Sequence, residues 1–217
     1  GCSNTNYNNS FMNSTTDATT IEYDNWVSTF HSTMVRRSDG QFMVWGEMIA
    51  NDGVSSVLSP QLLDSSHYPA LGTNKILKVS GGSFNINTAQ FIALATDGLY
   101  AWGKEGVVIS NSLTSSTTFQ KLNSLNGNGL PPGVNPADVK MITASYQTLC
   151  IVTCSGNVWV LSQNASMRGN GGSGNATTWY QVRTTATGNP LLSNVVAVRV
   201  SYKAALALTS DNKAWTW

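Results

Sequence analysis

The chain has 217 residues, enough for a substantial core in one or two domains. Charged residues make up 11% of it and the formal net charge is +1. That excludes the polybasic footprint by which proteins hold nucleic acid or an anionic membrane surface. Ser, Thr, Asn and Gly take the polar positions instead, a bias that points to a secreted or surface protein. No segment approaches the ~20 apolar residues of a membrane span.

Residues 1–20 are rich in Asn, Ser and Thr, lack periodicity and read as a leader or loop. They open on Gly1-Cys2-Ser3 with no basic or apolar stretch, so any signal peptide has been removed or lies outside the sequence. From 21 to 217 a strand pattern takes over. Apolar strands are expected at Ile21–Phe30, Lys75–Ser80, Val139–Ala144 and Val195–Tyr202. Each is followed by a short turn and a second strand, as in Phe91-Ile-Ala-Leu-Ala-Thr96 and Thr148-Leu-Cys-Ile-Val-Thr153. An Asp-Gly, Ser-Gly or Asp-Asn pair then reverses the chain, because a tight hairpin needs residues that tolerate positive φ. A third strand ends on Trp or Leu. A shorter fourth recurs at Pro60-Gln-Leu-Leu63, Phe119-Gln-Lys-Leu122 and Tyr180-Gln-Val-Arg183. No stretch keeps a helical apolar period over three turns, so helices should be nearly absent.

Aligned on the hairpin turn, Trp45, Trp102, Leu161 and Trp217 are equivalent, a spacing of about 57 residues repeated over four units. Four strands per unit is the count for a propeller blade. In Phe91-Ile92-Ala93-Leu94 both parities are apolar, as expected of a strand buried on two faces between stacked blades. Trp45, Trp102, Trp159, Leu161, Trp215 and Trp217 therefore read as inter-blade packing and not as ligand-stacking residues. The units run His31-Ser-Thr-Met-Val-Arg-Arg-Ser-Asp-Gly-Gln-Phe-Met-Val-Trp45-Gly46, and likewise to Trp102-Gly103, Leu161-Ser162 and Trp217. Strand, His, apolar run, Asp-Gly, aromatic-x-Trp-Gly: this pattern resembles the RCC1 repeat family, over about residues 21–217. Gln90 and Gln147 stand near the family's His, and Leu161-Ser162 replaces Trp-Gly. The resemblance implies an all-β propeller usually closed at seven blades, so about four blades here imply part of a larger ring and a piece of a longer chain.

The cysteines are Cys2, Cys150 and Cys154. Cys150 and Cys154, four apart along an expected strand, span roughly 13 Å, too far for a bridge. The spacing supplies no basis for pairing either with Cys2, and the thiols are expected to pack as small hydrophobes. A C-x3-C metal half-site would find only His31 and His67 to complete it, so neither a metal nor a cofactor is expected. Asn8, Asn13, Asn164 and Asn175 stand in N-x-S/T sequons, which matter in a eukaryotic secretory pathway.

No catalytic constellation emerges: there is no nucleophile elbow, phosphate loop or H-E-x-x-H. Gly169-Asn-Gly-Gly-Ser-Gly-Asn175 lacks the strand-to-helix setting of a phosphate site and reads as a flexible loop. Asp39, Asp97 and Asp211 recur in hairpin turns, where Asp serves the backbone. His31 reads as a hydrogen-bonded residue at a strand start. Length variation gathers in Asp64–Asn74, Asn126–Pro136 and Thr187–Asn194, three loops that should emerge on one side of the propeller and form a recognition rim. His67, Tyr68, Asn128, Leu130, Asn189 and Leu191 are its candidate contacts.

The expectation is a non-catalytic binding module of a secreted or cell-surface protein, adhesin-like, taking a protein or glycan on that rim, with secretion or surface machinery as further partners and no nucleic acid. A secreted propeller-type enzyme inhibitor is the first alternative. An intracellular regulator of a small GTPase or of chromatin, the activities of the family's founding members, is the second. Neither of those founding activities transfers residue by residue, since the chain has no basic tail.

Overall fold

The computed structural model describes residues 2, 26–29, 31–85, 87–109, 116–123, 127–172 and 174–217. The expected leader at 1–20, apart from Cys2, and residues 21–25, Phe30 and Asn126 lie outside that description. Among the described residues the fold is all-β, with helix confined to single 3-10 turns at Pro69–Leu71, Pro136–Asp138 and Ala165–Met167.

Four antiparallel sheets follow one another along the chain. The first blade is β1 (Trp26–Ser28), β2 (Ser32–Arg36), β3 (Phe42–Gly46) and β4 (Val57–Leu62). The second is β5 (Ile76–Gly82), β6 (Gln90–Ala95), β7 (Gly98–Lys104) and β8 (Ser116–Lys121). The third is β9 (Val139–Ala144), β10 (Thr148–Thr153), β11 (Val158–Ser162) and β12 (Tyr180–Gln181), and the fourth is β13 (Val195–Val200), β14 (Ala205–Thr209) and β15 (Ala214–Thr216). Strand order within each sheet is the chain order, so every blade is an up-and-down meander. The opening strands β1, β5, β9 and β13 touch their neighbours in succession and line the axis.

The chain leaves the third strand on glycine for a steric reason. Gly46 has φ +116° and a Cβ there would lie 2.2 Å from the His31 carbonyl oxygen; Gly103 has φ +131° and would meet the Ala89 carbonyl at 2.3 Å. The positive φ and the close backbone both demand the missing side chain. The third blade keeps Ser162 at this place, buried and hydrogen-bonded to the Thr148 hydroxyl at 2.7 Å.

Packing between blades builds three apolar clusters. Met34, Phe42 and Val44 of the first blade meet Phe91, Ala93, Tyr100 and Trp102 of the second. Ile92, Leu94, Leu99 and Ala101 on the second blade's other face meet Ile142, Leu149, Ile151 and Leu161 of the third. Cys150, Val152, Val158 and Val160 then meet Val198 and Ala207 of the fourth, with Trp215 and Trp217 packed alongside. Every residue of β6 and β10 is buried, as two-sided packing requires. Strand β14 instead alternates. Its Leu206 and Leu208, in the register positions of Ile92 and Leu94, are 50% and 36% exposed where those two are fully buried. The outer face of the fourth blade thus carries the apolar pattern of an inter-blade face.

The cysteines correct the expectation. Cys154 lies in the turn after β10, outside the strand, and is bridged to Cys2 with Cα atoms 5.5 Å apart across a sequence separation of 152. Only Cys150 is a buried free thiol, and burial pushes its pKa upward.

Candidate functional site

In a four-strand meander the turns fall at two ends. The hairpin turns between second and third strands share one end with the inter-blade connections; the turns between first and second, and between third and fourth, share the other.

The first end carries the expected rim, and two of its candidates, Tyr68 and Leu130, turn inward. Tyr68 is fully buried, donates its hydroxyl to the Ile49 carbonyl at 2.6 Å, and packs with ring centroids 5.7 Å from Trp102 and 5.0 Å from Phe119. Burial holds its phenol up at about 12. Leu130 is fully buried in the cluster between the second and third blades. Both therefore belong to the core and not to a binding rim: a connection between wedge-shaped blades must fill the gap at their ends, and a large apolar side chain gains more there than in water. Asn128 is half-buried, its carbonyl accepting from the Leu99 amide and its side chain from the Leu130 amide. His67 is exposed and held 2.9 Å from Asp64. Asn189, at φ +46°, is exposed, and its carbonyl accepts from Arg183, while half-buried Leu191 forms a β-bridge with Arg183. His67 and Asn189 lie on separate connections.

Turn aspartates at this end behave as expected of Asp. Asp39 accepts from the Gln41 amide, Asp211 from the Thr209 hydroxyl and the Lys213 amide, and Asp97 from the Tyr100 hydroxyl while pairing with Lys121 at 3.1 Å.

Of the expected packing residues, Trp102 and Leu161 are fully buried and Trp45, Trp159, Trp215 and Trp217 half-buried. Trp102 donates its indole N–H to the Ile49 carbonyl at 2.9 Å, and Trp217 to the Met167 carbonyl at 2.9 Å, each reaching into the preceding blade. The third blade, with Leu161, makes the same kind of tie through Gln163, whose amide donates to the Val107 carbonyl at 2.8 Å.

The opposite end is more tightly organised. Gln90, fully buried, donates from its amide to the Ser145 carbonyl at 2.6 Å and accepts from the Val108 amide. It thereby joins the second blade to the third. His31, at the corresponding strand start, holds Glu47 at 2.8 Å. At the two ends of the glycine-rich segment, buried Arg168 donates to the Ser162 and Gly174 carbonyls and the Asn175 amide donates to the Tyr180 hydroxyl.

At this end, near the axis, Phe84, Tyr146 and Tyr202 converge from the first turns of the second, third and fourth blades. Phe84 lies 4.4 Å from Tyr202 and 5.7 Å from Tyr146 between ring centroids, and Tyr146 lies 5.5 Å from Tyr202. Tyr146 is buried, Tyr202 half-buried and Phe84 exposed. Burial, with the phenol of Tyr202 and the carboxylate of Glu105 nearby, raises the Tyr146 pKa. Sequence reading missed this cluster. Its signal was present in the pairs Tyr146-Gln147 and Tyr202-Lys203, where an aromatic residue precedes a polar residue just ahead of the second strand. Phe84 carries no such mark, since it sits six residues ahead of Gln90.

Among the described residues no group of three or more His, Cys, Asp or Glu could hold a metal ion, and no helix is long and apolar enough to cross a membrane. What this geometry defines is a run of consecutive β-propeller blades with an aromatic cluster at one mouth. More narrowly, it is an RCC1-like β-propeller. The human WBSCR16 structure superposes with a TM-score of 0.59 at 16% identity, over 86% of this chain and 45% of that one. Prp20p from Saccharomyces cerevisiae, studied for its binding to Gsp1p and histones, matches with a TM-score of 0.54 at 13% identity, over 88% and 43%. Yeast RCC1 (Prp20) bound to Kap60 matches with a TM-score of 0.55 at 14% identity, over 88% and 42%. The chain thus spans less than half the length of these proteins, and the likeness is one of fold. No family model matches the sequence, and no curated protein matches it.

Proposed function

We propose that this chain is the non-catalytic recognition part of a protein that works outside the cell, holding its ligand at the propeller end where Phe84, Tyr146 and Tyr202 gather. The observation that carries the reading is this cluster. Three successive blades each contribute a ring to one spot, and the ring on top is left 53% exposed. An exposed aromatic residue on a rigid scaffold is a usual form of contact surface. The Cys2–Cys154 bridge supports an oxidising compartment, since such bonds are rare where glutathione keeps thiols reduced. The low charge density supports a ligand bound by shape and neutral hydrogen bonds.

Fractionation of the native source, followed by thiol alkylation and peptide mapping, tests the reading. Recovery in the extracellular or surface fraction, with Cys2 and Cys154 joined and Cys150 alkylated only after unfolding, is the expected result. Recovery only in the cytoplasm, with all three thiols free, overturns it. A secreted inhibitor would instead show one nanomolar enzyme partner in a pull-down. The regulator reading is favoured by a single observation, the shared fold with Prp20p, and it requires accelerated nucleotide release from a small GTPase or binding to histones.

A further inference from the structure

Three Asn-Gly pairs stand in the chain: Asn126-Gly127, Asn128-Gly129 and Asn170-Gly171. Asn126 lies outside the described residues. Asparagine is thermolabile, because the backbone nitrogen of the next residue can attack its side-chain carbonyl carbon. A glycine in that next place removes the Cβ that would shield the nitrogen. Attack also requires the backbone between the two residues to turn until the nitrogen faces the carbon. The surroundings of each pair therefore decide whether it reacts.

Asn128-Gly129 is held against that turn. The Asn128 backbone carbonyl accepts from the Leu99 amide at 2.8 Å, and its side-chain oxygen from the Leu130 amide at 2.9 Å. Gly129 is buried, its carbonyl accepts from the Trp179 indole at 2.9 Å, and a Cβ on it would meet that of Leu122 at 2.5 Å. Turning this pair breaks hydrogen bonds inside packed structure.

Asn170-Gly171, in the loop between β11 and β12, has the opposite setting. Gly171 and Gly172 are exposed, and a Cβ on either would find nothing within 4 Å. Among the described residues no backbone hydrogen bond holds the Asn170 carbonyl or the Gly171 amide. The Asn170 side-chain oxygen accepts from the Gly172 amide at 3.2 Å. That donor polarises the carbonyl and steadies the negative charge that gathers on its oxygen during attack.

We propose that Asn170 is a self-modifying site, converting to aspartate and isoaspartate in the folded protein well ahead of Asn128. The Gly171 nitrogen gives its proton to solvent base and bonds to the Asn170 Cγ. The Cγ–Nδ2 bond breaks, ammonia leaves, and a cyclic succinimide remains. Water then opens the ring at either carbonyl, so one water is consumed for each ammonia released. The product carries a carboxylate where a neutral amide stood, which takes the formal net charge from +1 to zero. Near zero net charge a protein self-associates more readily. The inference goes beyond the recognition-module reading and does not depend on it.

Ageing the folded chain in mildly alkaline heavy-oxygen water, followed by acidic digestion and peptide mass spectrometry, tests it. Label should enter residue 170, in both aspartate and isoaspartate peptides, at roughly ten times the rate at residue 128. In urea that unfolds the chain the two rates should converge, because only the shared Asn-Gly sequence then matters. Gly171→Ala should slow conversion of Asn170 by roughly tenfold, with an unchanged circular dichroism spectrum. The inference is overturned if Asn170 and Asn128 convert equally fast in the folded chain, or if Asn128 leads. It also falls if Asn170 stays unlabelled while the unfolded chain reacts, or if Gly171→Ala converts as fast as the parent. The comparison within the parent chain needs no variant, so it decides even where Gly171→Ala misfolds.

Discussion

Replacing Trp102 with alanine removes the ring that fills the interface between the first two blades. The side chain is fully buried against Tyr68, Phe91 and Phe119, with ring centroids 5.7, 5.4 and 5.0 Å away. A buried tryptophan covers about 200 Å². At ~25 cal/mol per Å² this amounts to about 5 kcal/mol, an upper estimate because the unfolded chain already shields part of the ring. The indole hydrogen bond to Ile49 adds ~1 kcal/mol, and its loss strands no acceptor, since the Ile49 carbonyl keeps the Tyr68 hydroxyl. With partial collapse of the cavity, a net loss of about 4 kcal/mol is expected. In a chain of this size that lowers Tm by roughly 10–15 °C. Trp45→Ala, at the equivalent but half-buried position, should cost less than half as much. Urea unfolding followed by circular dichroism measures both. A Trp102→Ala loss below ~2 kcal/mol, or a Trp45→Ala loss as large, would refute the assignment of Trp102 as an inter-blade keystone.

Ile92→Asp should cost more than ~4 kcal/mol by burying an unpaired charge between the second and third blades, read from the same denaturation curves. Gly103→Ala should cost several kcal/mol because its Cβ meets the Ala89 carbonyl at 2.3 Å, whereas Gly72→Ala, with nothing within 4 Å, should cost only about 1 kcal/mol. Tyr68 and Tyr100 are pushed up to about 12 from an ordinary value of 10.0, chiefly by burial and for Tyr100 also by its bond to Asp97. A raised folded pKa stabilises the fold below the unfolded value, so this contribution is whole below pH 10 and is lost as pH climbs through 12. Ultraviolet titration should show these phenols ionising late, together with unfolding, and early reversible ionisation of all seven tyrosines would contradict it. Reducing the Cys2–Cys154 bridge should lower stability by about 2–4 kcal/mol, near the upper part of the usual range because the loop it closes is long, as measured by melts with and without reductant.

The sequence was most readable where the signal was local and repeated. The strand–turn–strand units, Asp39, Asp97 and Asp211 in the hairpins, the two-sided burial of Phe91–Leu94 and the residues Trp45, Trp102 and Leu161 at third-strand ends all appear where the period placed them. A pleat of period two and a steric demand for glycine act within a few residues. Tyr68 and Leu130 were misread because composition alone could not separate a rim residue from a plug. Pro, Leu and Asn occur in both, and Tyr68 and Leu130 are drawn inward only because neighbouring blades leave a gap beneath them.

By itself, then, the amino-acid sequence determined the number and order of the blades, the strands within each and the residues that would pack between them, because a repeat carries its own short-range instructions. Tertiary structure alone decided two things. It joined Cys2 to Cys154, and it brought Phe84, Tyr146 and Tyr202 from three blades to one point. Each depends on the angle at which one blade stacks on the next, and that angle is set by the summed packing of whole interfaces, which no single stretch of the chain encodes.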